Sequence, residues 1–93
     1  MLSKIPIDIK KIKAEDIDKE ILRAALIAEL DAINLYEEMA ALAENKGIKK
    51  VLLDVAKEEK EHVGEFQTLL LMFDKEQVEE MEEGKEEVEE LIK

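Results

Sequence analysis

Apolar residues recur at steps of three and four along two long segments, and in each the series is interrupted by groups that carry charge or a proton. In the first, Leu22, Leu26, Glu29, Ile33, Tyr36, Ala40 and Ala43 follow one helical face. In the second, Leu52, Val55, Ala56, Val63, Phe66, Leu69, Leu70 and Phe73 do the same, and Glu59 and His62 fall on that stripe. Three polar groups therefore occupy positions where the helices should be showing their oily sides.

The punctuation between these segments predicts an all-α chain. Asp16 or Asp18 is placed to cap a first helix running to about Glu44, with acidic residues favourably set in its first turn. The stretch "ENKG", Glu44 to Gly47, closes it, on the expectation that Asn and Gly adopt the left-handed conformation of a helix C-terminus. So short a break implies an antiparallel hairpin with a second helix from about Ile48 to Phe73. Asp74 with Gln77 reads as a capping box opening a short third helix. That last segment, "KEQVEEMEEGKEEVEELIK", is strongly acidic, carries Gly84 in its middle, and shows a sparse stripe of Val78, Met81, Val88, Leu91 and Ile92. A solvated helix or frayed tail is the favoured reading, and docking on a neighbouring subunit is the alternative. At the other end, Pro6 and the alternating "IPIDIKKIK" predict an extended arm. The expected organisation is an arm over 1–15, a helical hairpin over 16–74 and an acidic helix or tail over 75–93.

Composition narrows the function. A 93-residue chain that is only 3% aromatic suits a small helical domain, one that gains core by oligomerising. Its formal net charge of −11 argues against nucleic acid and anionic membrane, and favours cations or basic surfaces. With no cysteine there is no disulfide framework, zinc-thiolate site or iron–sulfur cluster. Neither a signal peptide nor a membrane-spanning apolar run is evident, so the expected location is cytoplasmic.

Counting from the turn, Glu29 lies about 15 residues back along the first helix, and Glu59 and His62 about 11 and 14 along the second, so at about 1.5 Å per residue they share a level. One Glu facing a Glu-x-x-His is half of the ligand set of a di-iron or di-manganese carboxylate bundle. The other half must come from a second copy, because the chain has one histidine and two long helices. A two-fold pair would gather four Glu and two His around two metals, a donor set that suits Fe(II) or Mn(II) better than zinc. Against this stands the plainer reading of a hydrogen-bonded core histidine in a glutamate-rich helix. Tyr36, two turns from Glu29, is either a core tyrosine or a hydrogen-bond partner of a ligand carboxylate. Asp31, with Glu58 and Glu65, is placed to draw cations in or simply to face solvent.

"IAELDAINLYEEMA" followed by "VAKEEKEHVGEF" resembles the ferritin-like superfamily on its rubrerythrin side, where E-x-x-A-I-x-x-Y and E-x-x-H carry di-iron ligands. A hairpin with a short acidic third helix is most similar to an encapsulated ferritin, over nearly the whole chain from about Asp16. The resemblance implies a hairpin dimerising into a ferritin-like four-helix bundle, with dimers closing into a ring-shaped decamer. It implies a ferroxidase centre between protomers, residence inside an encapsulin nanocompartment for iron storage, and Glu29, Glu59 and His62 as metal ligands with Tyr36 beside them. The cofactor so implied is a di-iron pair, Fe2+/Fe3+, with Mn2+ or Ca2+ as surrogates. Two positions depart from the family pattern: an acidic metal-entry residue of some members is Ala28 here, and an aromatic one is Leu35, leaving Asp31 as the candidate for metal entry. No encapsulin-targeting tail follows Glu90; since some members are fused to the shell protein, the shell partner is either separate or fused. The leading expectation is a ferroxidase, with a rubrerythrin-like peroxidase or a non-catalytic acidic helical interaction module as alternatives.

Overall fold

The computed structural model describes residues 13–93, so most of the arm expected over 1–15 lies outside the described residues. A 3-10 turn at Ala14–Asp16 leads into α1 (Ile17–Leu42); α2 (Lys46–Phe73) and α3 (Lys75–Leu91) follow, and no strand occurs among the described residues. α1 and α2 pack along their length as the hairpin, while α3 turns away from it. The molecule measures 47 × 44 × 19 Å, no thicker in its short direction than about two helices of 10–12 Å.

Local chemistry explains the joints. Asn45 caps α2, its Oδ1 accepting from the Ile48 backbone N–H at 3.0 Å. The expected left-handed closure of α1 does not occur: no described residue, glycine included, has a positive φ. Ala43 and Asn45 are instead extended, at φ −67° and −74°, and Gly47 sits inside the first turn of α2. The same residues that close one helix left-handed can open the next, and here the side-chain cap decides. Asp16 does hold the N-cap position of α1, but its side chain makes no capping hydrogen bond, because the 3-10 turn has already directed the chain; it pairs with Lys19 at 3.4 Å. At the third junction a single residue, Asp74, separates two helices, its Oδ1 accepting from the Gln77 N–H at 3.0 Å. α3 then runs 17 residues through Gly84 without a break, so a frayed tail is replaced by a continuous helix, exposed along almost its whole length.

The core is slight. Among the described residues, Leu22, Ala40, Ala56 and Leu70 are the buried hydrophobic ones, and no large side chain is fully enclosed. Small alanines at the seam let the two helices approach closely, while Ile21, Leu30, Val51, Leu53, Leu69 and Met72 remain exposed. The chain presents 7550 Å² to solvent, against about 5,500 Å² expected of a compact monomer of its mass. None of the described helices is long and apolar enough to cross a membrane.

Candidate metal centre

α1 brings Glu29 to the seam, and α2 brings Glu59 and His62 one turn apart on its facing side. A ligand atom from each of the three lies within 4.8 Å of the others. His62 Nδ1 stands 3.4 Å from Glu59 Oε2 and 3.5 Å from Glu29 Oε2. Both distances are long for a charge-assisted contact: the imidazole makes a long hydrogen bond with Glu59 and none with Glu29. Glu29 Oε2 is buried and has no hydrogen-bond partner. An acceptor left in that condition costs free energy in a folded protein, unless a cation or water completes it.

The three groups fit a cation. Donors on opposite sides of a divalent metal bound at about 2.1 Å are about 4.2 Å apart, so small side-chain movements would close this cluster around an ion. Two carboxylates and one imidazole are a mixed hard set, matched to first-row divalent metals. They leave such an ion with open positions. The glutamate side chains are 19% and 18% exposed and the histidine 43%, so the cluster opens toward solvent on the histidine side.

Tyr36 lies half-buried on α1, two turns toward the hairpin tip, and its hydroxyl has no hydrogen-bond partner among the described residues. Asp31, also half-buried, is two residues from Glu29 and outside the three-residue cluster. Glu58 and Glu65 are exposed on α2. Beside the cluster, Lys60 Nζ reaches Glu37 across the hairpin at 3.0 Å.

Sequence reasoning overlooked Arg23. Its guanidinium donates to Asp74 Oδ2 at 2.9 Å, tying α1 to the first residue of the α2–α3 junction. The Gln77 backbone N–H, and then Arg23 with Lys19, hold the Asp74 carboxyl below its ordinary value, although burial opposes them. Arg23 is the chain's only arginine, set among apolar residues, and that was the available signal.

The hairpin seam carries Glu29 opposite Glu59 and His62. The chain belongs to the rubrerythrin family, whose model matches residues 20–93. Within that family its fold is similar to the crystal structure of the encapsulated ferritin domain from Pyrococcus furiosus, at 56% identity and a TM-score of 0.83, covering 98% of this chain and 95% of that one. It is also 65% identical over 72 residues to a ferritin-like-encapsulin shell fusion protein of Pyrococcus furiosus, matching 77% of this chain. The match spans 21% of the length of that fusion protein.

Proposed function

We propose that this chain is a ferroxidase subunit that takes up Fe(II) and releases Fe(III) for storage, working inside an encapsulin shell to which it is either fused or recruited. The observation that carries the reading is the cluster of Glu29, Glu59 and His62 with its buried, unpartnered Glu29 oxygen. The likeness to an encapsulated ferritin domain and to a shell fusion supports the compartment.

The chain's own residues divide the work. Glu29 and Glu59 supply negative charge that draws Fe(II) out of water, and carboxylates can bind through one oxygen or two as the metal's charge changes. His62 contributes one nitrogen and, on the more open side of the cluster, faces the solvent from which oxidant arrives. Three donors are too few to enclose an ion, and a second hairpin related by a two-fold axis would bring the same three again. The exposed apolar residues of α1 and α2 support such a pairing into a four-helix bundle, since an unpaired hairpin leaves one face of each helix without a core. Two Fe(II) held together deliver two electrons, which reduce one O2 with two protons to hydrogen peroxide. Ring closure of the dimers into a decamer belongs to the same proposal.

Anaerobic protein loaded with Fe(II) and mixed rapidly with O2 tests it: ferric absorbance should rise in the wild type and fail to rise in Glu59→Ala and His62→Ala. Wild-type rates in either variant would sink the assignment. The family match also favours a second reading, reduction of peroxide. Turnover faster with peroxide than with O2 would select it, while absence of bound iron would leave only an acidic interaction module.

A further inference from the structure

Nothing in the backbone chemistry of the α2–α3 junction demands a bend. The stretch LLMFDKEQVEEM, Leu70 to Met81, contains neither proline nor glycine and is rich in good helix formers. Asp74 alone stands between the two helices, at φ −135° and ψ 86°. Were the chain to continue as one helix, the Lys75, Glu76 and Gln77 N–H groups would donate to the Leu71, Met72 and Phe73 carbonyls. The bend gives up those bonds, so something must offset them.

A single side chain makes two bonds that do so. The Asp74 carboxylate, buried at the junction, accepts from the Gln77 N–H through Oδ1 at 3.0 Å and from the Arg23 guanidinium through Oδ2 at 2.9 Å. The first bond caps α3, and the second ties its root to α1. Little else holds α3 in place. Beyond Gln77 its residues are all exposed, and Met81 is the last to border the groove beside Leu26 and Leu71.

We propose that the Arg23–Asp74 pair is a clasp that selects between two conformers of the chain, the bent one of this structure and a straight one in which α2 and α3 form a single helix. In the bent form the molecule measures 47 × 44 Å in its two longer directions, so α3 stands to the side of the hairpin. In the straight form one helix from Lys46 to Leu91 is about 69 Å long and carries Val88, Leu91 and Ile92 in line with the hairpin. The clasp thus fixes the direction in which the exposed apolar end of α3 is offered before any neighbour engages it. It is a property of the single chain and stands apart from the iron chemistry proposed above.

Distances between paired spin labels test the clasp, and the absence of native cysteine keeps the labelling specific. Full-length chains carrying Lys50→Cys and Glu86→Cys, both at exposed positions, are diluted into unlabelled chains so that distances within one chain are read. A straight helix sets these two positions about 54 Å apart, and a bend at Asp74 shortens the separation. The wild type should give the shorter distance. Each Asp74 bond removed should raise the ratio of straight to bent chains roughly fivefold. The long-distance peak should therefore grow in Arg23→Ala and further in Asp74→Ala, while Arg23→Lys returns toward the wild-type distance. Circular dichroism should show helix content retained in Asp74→Ala. Short distances alone in Asp74→Ala overturn the proposal, as does a broad distribution with helix lost, because α3 has then unfolded instead of joining α2. An Arg23→Ala chain no straighter than the wild type also overturns it, since the cap would then act without the clasp. If Asp74→Ala does not fold, Arg23→Ala, which leaves the α3 cap in place, decides alone.

Discussion

Replacing Glu29 by Gln should strengthen the metal-free protein and weaken the metal-loaded one. Oxygens of Glu29 and Glu59 lie within 4.8 Å of each other. Two negative charges at that separation repel by about 3.5 kcal/mol at an effective dielectric of 20 and by about 0.9 kcal/mol in water. His62 Nδ1, 3.4 and 3.5 Å from the two, offsets part of this, and the opening to solvent screens more. Removing one charge, and with it a buried oxygen that lacks a partner, should therefore stabilise the apo protein by about 1–2 kcal/mol. For a domain of this size that is an increase in Tm of about 5–10 °C. Metal reverses the order, because a ligand at one hundred times its Kd adds about 2.7 kcal/mol to the wild type and much less to a site short of a carboxylate. Circular dichroism melts of both proteins at equal chain concentration, in chelator and in anaerobic Mn(II) or Fe(II), would read both effects. A variant that melts below the wild type in chelator, or that gains as much as the wild type from metal, would refute the reasoning.

The remaining expectations concern the scaffold and the sharing of the site. Asn45→Ala removes the α2 cap and should cost about 1 kcal/mol in chemical denaturation, with Asn45→Asp close to neutral. Ala56→Leu forces a large side chain into a seam where the alanine is 2% exposed, and should destabilise by about 1–3 kcal/mol in the same measurement. Because the Asp74 carboxyl is held below its ordinary value of 3.8, its contribution is complete above that pH and is lost as pH falls through the lower folded value. Acid should therefore loosen the attachment of α3, read by exchange of its first turn, and Asp74→Asn should keep the cap while removing that acid sensitivity. Finally, inactive Glu29→Ala and His62→Ala chains, mixed under subunit exchange, should regain part of their iron: homodimers and hybrid alike keep four of six donors, but only in the hybrid can both losses fall at one metal position and leave the other complete; iron content unchanged in proven heterodimers would argue for an unshared site.

Much of this molecule was legible because helical periodicity is a local signal. The two stripes placed α1 and α2, and a short break forced them antiparallel. Antiparallel geometry then set Glu29 level with Glu59 and His62, through arithmetic on residue number alone. Asp74 was readable as a cap because the residue three positions on is close by in any helix start. What escaped is either degenerate locally or distant in sequence. Asn-Lys-Gly can end one helix left-handed or begin the next, and only the hydrogen bond to Ile48 distinguishes them. Sequence left α3 open between a helix and a frayed tail; Gly84 at its middle costs only about 1 kcal/mol, too little to stop a well-capped segment. The Arg23–Asp74 bond joins residues 51 positions apart, and no periodicity reports such a pair.

The most direct test of the central claim is an anomalous-scattering map, recorded at the iron edge, from crystals of the protein loaded anaerobically with Fe(II). The account predicts two iron peaks beside a two-fold axis, bounded by Glu29, Glu59 and His62 from each of two chains. Iron enclosed by the residues of one chain alone, or iron absent from these three side chains while bound elsewhere, would contradict it.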